Sequence, residues 1–223
     1  MGIGGDQMVL IQHTWQFFLS HSHQVVKATL QQLYLVGIPM GLAVIVAIPL
    51  TILSTRVKAL YGPVIWFANA MQTIPSLALL ALMIAMGMGI GTVPAVVALF
   101  LYALMPIVRN TYVGIQGVDE GVKDAARGMG VTTWQLLLIV ELPLALRVII
   151  AGVRSALVAT VGFATLAALI GAGGLGNLIM EGMGMASNSI VLAGTIPAII
   201  LAFLADGVMG RVEKALTPRG LRV

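Results

Sequence analysis

Four polar residues stand in an otherwise apolar stretch of the sequence, where they could line a path for water or solute. They are spaced at i, i+3, i+4 and i+7, which places them on one side of a helix: Asn69, Gln72, Thr73 and Ser76. In hydrocarbon such side chains need partners, either on neighbouring helices or in a water-filled path. Pro75 lies in the same stripe and frees a backbone carbonyl, which favours the path.

Arg154 is a further candidate for this translocation path, because it is a cation within a long apolar run. An intramembrane cation costs at least about 2.5 kcal/mol at mid-depth unless it is paired or meets water. The sequence leaves alternatives open, since Arg154 could instead extend to the lipid headgroups. Asp206 could be its counter-ion or could cap the last apolar segment.

Other kinds of chemistry have little support. The three histidines lack the spacing and acidic partners of a zinc motif, and the chain has no cysteine. No nucleotide-binding G-x-x-x-x-G-K-[ST] motif occurs, and the G-x-G-x-x-G of residues 171–176 follows an apolar segment rather than a strand. We therefore predict no catalytic residue, no metal site and no cofactor in this chain.

The composition is that of a membrane protein. Of the 223 residues, 59% are hydrophobic and only 9% are charged, whereas soluble domains carry about 25% charged residues. The mean hydropathy is +1.04. A net charge of +4 spread over so apolar a chain argues against a nucleic-acid surface. We expect an all-α membrane protein that has lipid as a partner and binds no nucleic acid.

The uncharged runs are long enough for five transmembrane helices. Residues 28–55 contain 28 uncharged residues, and one span needs about 20, so the first span is expected over 30–54. The 50 uncharged residues of 59–108 predict two spans joined by a tight turn at the glycines of 87–91. A fourth span is expected from Pro143 to about Ile170 and a fifth from Ile190 to Val208. The Gly-rich segment between these two predicts a close-packed external turn or a partial re-entrant loop.

The distribution of cations predicts the orientation. Ten Lys and Arg residues lie after spans one, three and five or in the loop before span four, whereas Lys27 alone lies on the other side. Because cytoplasmic loops are enriched in cations, we expect the N-terminus outside and the C-terminus in the cytoplasm. Residues 1–27 are expected to form an external segment with an interfacial helix, a sixth span being the alternative.

The loop between spans three and four is patterned as two short helices. Asp119 can cap a first helix that stops at the glycines of 128–130, and Thr132 with Gln135 has the capping-box spacing for a second. Pro143 is expected to end that second helix. An apolar face suited to another protein's groove is expected on the first helix, formed by Val122, Ala125, Ala126 and Met129. An amphipathic loop lying on the bilayer is the alternative.

The same loop resembles the EAA loop of binding-protein-dependent ABC importer permeases. It contains Asp124-Ala125-Ala126, then Gly130, then nine residues, then Val140-Glu141-Leu142-Pro143, which is the spacing of the family pattern. Asp124 stands where that pattern has Glu, so the charge is kept on a shorter side chain. In that family the loop docks into the ATPase. The resemblance therefore implies that residues 118–143, called here the coupling segment, include these ATPase-coupling residues: Asp124, Ala125, Ala126, Arg127, Gly128, Gly130, Leu142 and Pro143.

One branch of that family is especially similar, namely the permeases for glycine betaine, carnitine, choline and related osmoprotectants. The similarity is carried by residues 72–80, 102–112 and 167–176 and extends over about 28–219. It implies a single transmembrane domain, residues 28–223, in the cell (inner) membrane, serving a quaternary-amine importer. The implied partners are two ATPase subunits that hold ATP and Mg, a second permease copy, identical or a sister subunit, and an external binding protein.

Three alternatives stay open. A membrane scaffold without transport activity would use the loop only to anchor a partner. A permease for methionine or another amino acid would share the general fold. An ion-driven secondary carrier belongs to a different class and would require several intramembrane carboxylates and an inverted repeat. The sequence offers one marginal intramembrane Asp and no evident repeat.

Overall fold

The computed structural model of the chain describes residues 3–216, and within that range every regular element is helical. The helices are α1 (Ile3–Ser20), α2 (Ser22–Arg56), α3 (Lys58–Thr73), α4 (Ser76–Met83), α5 (Thr92–Gln116), α6 (Glu120–Gly128), α7 (Thr133–Gln135), α8 (Leu142–Leu166), α9 (Leu175–Gly184) and α10 (Asn188–Leu216). A π-helical turn over Ile84–Met88 extends α4, and another over Leu136–Glu141 joins α7 to α8. A 3₁₀ turn over Ala167–Ile170 extends α8.

Four helical stretches are long and apolar enough to cross a membrane. They are Ser22–Arg56, Thr92–Gln116, Thr133–Ile170 and Asn188–Leu216. A fifth candidate is formed by Ala59–Thr73 together with Ser76–Met88, which are bent at their junction. The chain is therefore an all-helical membrane protein with four to five candidate spans.

Two compact units share the chain, and four of the five boundaries between them fall inside long helices, whereas the fifth follows the end of α3. Unit 1 contains Met1–Met40, Ile74–Phe100 and Val158–Leu204, and unit 2 contains Gly41–Thr73, Leu101–Leu157 and Ala205–Val223. In unit 1, an apolar cluster joins α1, α2, α9 and α10, and its buried members are Val25, Ala28, Leu175, Leu178 and Ala198. In unit 2, a second cluster joins α2, α5, α8 and the π-helical turn before α8: Ile115, Leu137, Ala145 and Ile149, with Ile48, Ile52 and Leu142 at its margin.

Two glutamines of α2 hold the Gly-rich segment of unit 1 in place. The Gln31 side-chain oxygen accepts a hydrogen bond from the Gly174 backbone N–H at 3.2 Å. The fully buried Gln32 accepts one from the Leu175 N–H at 3.1 Å and donates one to the Val161 carbonyl at 3.1 Å. These bonds satisfy backbone donors at the start of α9 that lack a partner within the helix.

The close packing predicted for the Gly-rich segment is confirmed at Gly176. A Cβ atom added there would lie 1.9 Å from the Thr165 carbonyl oxygen of α8. Only glycine allows the two backbones to approach so closely. The tight turn predicted at 87–91 is also confirmed, because helix ends at Met88 and resumes at Thr92, with Gly89 and Gly91 at positive φ between them.

The continuous helix expected through the polar stripe is wrong, because α3 ends at Thr73 and α4 begins at Ser76. Pro75 lies between them with φ −55° and ψ 139°, an extended conformation. Proline has no N–H to donate, and its ring disfavours a helical conformation at Ile74 before it. Ser76 therefore starts a different helix, and only Asn69, Gln72 and Thr73 share one side of α3.

The helix expected to end at Pro143 instead continues into the fourth span. The predicted capping box is present: the Thr132 hydroxyl accepts from the Gln135 N–H at 3.3 Å, and the Gln135 side chain accepts from the Thr132 N–H at 2.8 Å. Beyond it, the π-helical turn Leu136–Glu141 leads directly into α8. Pro143 has no N–H to donate, and it is the second residue of α8. It is tolerated there because the preceding π-helical turn has a wider hydrogen-bonding pattern than an α-helix, so the regular α-helical pattern begins only after it.

Candidate coupling and translocation sites

The first helix of the coupling segment begins and ends where the sequence predicts. The Asp119 side chain accepts a hydrogen bond from the Val122 N–H at 3.1 Å and so caps the start of α6. The helix ends at Gly128, and Gly130 takes φ +83°, a left-handed conformation that favours glycine. On its inner side α6 packs against the π-helical turn Leu136–Glu141. The coupling segment is thus a compact helical hairpin built within unit 2.

The exposed face of α6 differs from the predicted one at one residue. Val122, Ala125 and Met129 are exposed, and Met129 is 78% exposed. Ala126, by contrast, is only 3% exposed. The expectation that Ala126 shares the docking face is therefore corrected: other parts of the chain cover its methyl group, although its helical spacing from Val122 and Met129 places it near them. The exposed apolar face consists of Val122, Ala125 and Met129.

Ionic groups on α6 surround that apolar face. The Arg127 guanidinium donates to Asp124 at 2.7 Å and to Glu120 at 2.9 Å. The hydrogen bond from Arg127, followed by that from Lys123, lowers the pKa of Glu120, and the bond to Glu120 raises the pKa of Arg127. Glu120, Asp124 and Arg127 are exposed, so solvent and salt screen the attraction between them. The face therefore presents an apolar centre with charges of both signs beside it.

Lys123 has a different environment from the other charged residues of α6. It is only 6% exposed, although lysine is almost never buried without a partner. Its ammonium lies 3.1 Å from a Glu120 carboxylate oxygen and 3.4 Å from the carbonyl oxygen of Gln116, the last residue of α5. A cation at this position also interacts favourably with the C-terminal end of the α5 dipole.

A salt bridge that sequence reasoning did not identify lies at the other end of the coupling segment. Glu141, which is 3% exposed, accepts a hydrogen bond from the guanidinium of Arg56, the last residue of α2. One signal was present in the sequence, because Glu141 is a single carboxylate between Leu136–Val140 and Leu142. A charge in such an apolar run requires a counter-ion. Leu142 and Pro143 follow it in the first turn of α8.

The polar stripe of α3 is exposed. Asn69, Gln72 and Thr73 lie on one side of the helix with accessible side chains, and the Thr73 hydroxyl also donates to the Ala70 carbonyl at 2.8 Å. Ser76 is half-buried at the start of α4. In a membrane-spanning chain, accessible amide side chains must meet water, solute or another protein, because lipid offers them no partner.

Arg154 forms an ion pair with Asp206, so the structure selects the counter-ion from the two alternatives for Asp206. The guanidinium donates through Nε and Nη2 to the two carboxylate oxygens, each at 2.6 Å. Its Nη1 lies 3.4 Å from Glu213, which also lies 3.5 Å from Arg147. These charged residues join α8 to α10 within unit 2. Arg154 is consequently engaged by carboxylate partners on α10.

Residues 3–216 contain no cluster of three or more His, Asp or Glu arranged to hold a metal ion. The His21 ring stacks on Phe17 with centroids 4.4 Å apart, and its Nδ1 lies 2.8 Å from the Ser20 hydroxyl. These contacts give His21 a local structural environment near the junction of α1 and α2.

Comparison with known proteins identifies relatives that align with nearly the whole chain. The carnitine transport permease protein OpuCB of Listeria monocytogenes is 43% identical over 206 residues, which cover 92% of this chain and 94% of the relative. The osmoprotectant import permease protein OsmW of Salmonella typhimurium is 42% identical over 213 residues, which cover 94% of this chain and 99% of the relative.

The fold is also found among solved structures. A chain of the inward-facing MetNI methionine ABC transporter superposes with a TM-score of 0.80 at 25% sequence identity, covering 89% of this chain and 99% of that chain. The family model described as "binding-protein-dependent transport system inner membrane component" matches residues 37–218. This chain therefore belongs to the family of binding-protein-dependent transport system inner membrane components.

Proposed function

We propose that this chain is the permease subunit of an ATP-driven importer and forms the translocation path for a quaternary-amine osmoprotectant such as betaine, choline or carnitine. An external binding protein delivers the solute, and separate cytoplasmic subunits bind ATP and Mg. The permease itself catalyses no reaction. The relatives support this substrate class, since their names specify carnitine in one case and osmoprotectants in the other.

The observation that carries the proposal is the exposed apolar face of α6 within a family-matched chain. Val122, Ala125 and Met129 lie together at the surface, with Arg127 and Asp124 beside them. A small apolar centre with a charged margin has the composition of a protein–protein contact rather than of a solvated loop. We assign this face to the ATPase subunit. Gly128 and Gly130 end the helix, so that the face stands at a defined end of the hairpin.

The orientation proposed is five spans with the N-terminus outside and the C-terminus in the cytoplasm. Every Lys and Arg except Lys27 falls within the residue ranges of unit 2. The positive-inside rule therefore supports a cytoplasmic location for the charged ends of unit 2, including the coupling segment. The single transmembrane domain then covers 28–223, the fifth span being the helix pair bent at Pro75. Helix α1 precedes it in the external segment 1–27, at the membrane interface.

The α3 stripe is assigned to the wall of the path. Asn69, Gln72 and Thr73 supply amide and hydroxyl groups that can hydrate or contact a passing solute, and Ser76, at the start of α4, is a separate candidate for contact with the solute. Pro75 has no N–H to donate, so the helical hydrogen-bond pattern is interrupted at the break. One chain supplies one wall, so a second permease copy, identical or a sister subunit, completes the path. Arg154 contributes indirectly, by fixing α10 to α8.

Selectivity is expected to reside mainly in the binding protein. Quaternary ammonium ligands are usually held in a cage of aromatic rings. Trp66 and Phe67 are exposed on α3, whereas Tyr102 is buried, so these rings do not form a common cage. The permease would then pass the solute along polar groups without holding it tightly.

ATP binding is the expected source of the conformational energy. Switching a gate from 1:99 to 99:1 requires about 5.5 kcal/mol of differential binding. A loosely held osmolyte does not provide that energy to the permease, whereas nucleotide binding can close an ATPase pair. Movement of the ATPases would bring two coupling segments together and open the spans outward, giving alternating access.

A methionine or other amino-acid importer is the second candidate, because the superposed MetNI chain belongs to a methionine transporter. Its identity of 25% is well below the 42–43% of the carnitine and osmoprotectant permeases. The osmoprotectant assignment therefore has the stronger support.

The decisive experiment is uptake by vesicles reconstituted with the permease, its ATPase and its binding protein. Radiolabelled glycine betaine, choline, carnitine and methionine are the probes. We expect ATP-dependent uptake of at least one quaternary amine and no uptake of methionine. Uptake of methionine alone would overturn the substrate class, and uptake driven by an ion gradient without ATP would overturn the importer class.

Matched variants at Met129 test the docking face in the same vesicles. Met129→Asp places a charge at the centre of the exposed face, whereas Met129→Leu keeps the face apolar. We expect the Asp variant to lose ATP-dependent uptake and the Leu variant to retain it. Equal uptake by both variants would remove α6 as the ATPase contact.

A further inference from the structure

We propose that two charged contacts fix the coupling segment to the ends of α2 and α5, so that it moves together with these two helices. Lys123 binds the end of α5, and Glu141 binds the end of α2. These two side chains are positioning residues, since neither belongs to the exposed docking face. The inference rests on the proposed function, because it specifies how motion received from the ATPase reaches the spans.

The contact at Lys123 connects α6 to α5 across the short connection between them. Gln116 is the last residue of α5, and its carbonyl oxygen lies 3.4 Å from the Lys123 ammonium. The same ammonium pairs with Glu120 at 3.1 Å, so the charge is compensated within the coupling segment as well. Because Lys123 is 6% exposed, its hydrocarbon stem is held by packing and its position is restricted.

The contact at Glu141 connects the other end of the coupling segment to α2. Glu141 is buried beside the guanidinium of Arg56, which is the last residue of α2. It lies at the end of the π-helical turn against which α6 packs. An apolar cluster that includes Leu137, Leu142 and Ile52 joins the π-helical turn and the start of α8 to α2.

Together the contacts give the hairpin two points of attachment at the ends of its sequence. A hairpin tethered only by its covalent connections could rotate when the ATPase moves and would transmit little of that motion. Attachment at both ends converts displacement of Met129 into displacement of α2 and α5. The buried ion pair at Glu141 is suited to this role, since breaking it leaves a buried charge without compensation.

A charge-removing variant tests the contact at Lys123. Lys123→Met keeps the length of the side chain and removes the ammonium, whereas Lys123→Arg keeps the positive charge as the matched control. The readout is the number of labelled solute molecules transported per ATP hydrolysed by the reconstituted complex. Substitutions along a network that couples two sites change their coupling, and we expect Lys123→Met to lower the ratio of solute transported to ATP hydrolysed by roughly 2- to 30-fold. We expect Lys123→Arg to restore most of the ratio, and an unchanged ratio in Lys123→Met would overturn the inference.

A distance measurement tests the attachment even if Lys123→Met fails to assemble with the ATPase. The chain contains no cysteine, so spin labels can be placed selectively through Met129→Cys on the exposed end of α6 and Val113→Cys on α5. We expect a narrow distance distribution in the parent and in Lys123→Arg, and a broadened one in Lys123→Met. The same narrow distribution in all three would contradict the inference.

Failure of this inference is distinguishable from failure of the proposed function. If Met129→Asp retains ATP-dependent uptake, the docking assignment fails whatever Lys123 does. If Met129→Asp abolishes uptake while Lys123→Met keeps the parental transport ratio and distance distribution, the docking assignment stands and only the attachment through Lys123 is refuted.

Discussion

Removal of the Arg56 guanidinium should destabilise the permease because it leaves Glu141 buried beside no cation. Glu141 is 3% exposed, and Arg56 is the cation that pairs with it. Breaking a buried ion pair by removing one partner costs about 3–5 kcal/mol. For a chain of this size, each kcal/mol lowers the midpoint of thermal unfolding by about 2–4 °C, which gives a fall of roughly 6–20 °C for Arg56→Met.

Removal of both charges should cost much less than removal of Arg56 alone. Replacing a buried pair by apolar side chains of similar volume is often neutral, because the desolvation penalty of the two ions disappears with them. The double variant Arg56→Met with Glu141→Met leaves no buried charge at this site and fills the same space. A thermodynamic cycle with the two single variants then isolates the energy of the pair.

The assay is thermal or denaturant unfolding of the purified permease in detergent, followed by the fluorescence of its three tryptophans. We expect Arg56→Met to lose much of the stability of the parent and the double variant to regain most of it. An Arg56→Met protein as stable as the parent would refute it. A double variant no more stable than Arg56→Met would show that the guanidinium acts through packing rather than through the charge of Glu141.

Three further predictions concern other parts of the chain. Arg127→Gln should raise the pKa of Glu120 towards its ordinary value, as measured by carboxyl ¹³C NMR. Because pairing with Arg127 lowers the pKa of Glu120 in the folded state, the ion pair stabilises the fold above the unfolded pKa of about 4.3, and this stabilisation is lost as the pH falls through the folded pKa. An unshifted Glu120 titration would refute that pairing. Gly176→Ala should destabilise by about 1–3 kcal/mol through overpacking against α8, while Gly184→Ala, which meets open space, should not; equal denaturation midpoints would contradict the packing. Gln72→Leu should reduce solute uptake without reducing ATPase assembly, and wild-type uptake would remove Gln72 from the path.

The sequence alone was sufficient to predict the helical membrane fold and the ends of α6. Long uncharged runs specify spans because hydrocarbon excludes charge, and this constraint does not depend on tertiary detail. Asp119 and Gly130 act locally, through a cap and a left-handed turn, so their roles could be predicted from spacing. Pro75 was visible in the sequence as a residue that interrupts helical hydrogen bonding, but the sequence does not determine how far a helix opens at a proline.

Contacts between distant parts of the sequence could not be predicted in the same way. Arg56 and Glu141 are 85 residues apart, and no local pattern pairs them. The side of α6 that faces its own chain was also undetermined, since Ala125 and Ala126 are equally apolar and only packing separates the exposed one from the buried one. The burial of Lys123 depends on tertiary packing, so its position in α6 alone does not predict it.

The proposed role of α6 requires that its exposed face contacts an ATPase, and photo-cross-linking from position 129 is the sharpest test of that contact. A photoreactive amino acid at Met129, and one at the exposed Val93 as a control, would be introduced into the assembled importer in membranes. We expect a cross-link to the ATPase subunit from position 129 and none from position 93. An intact complex in which position 129 reacts only with lipid would contradict it.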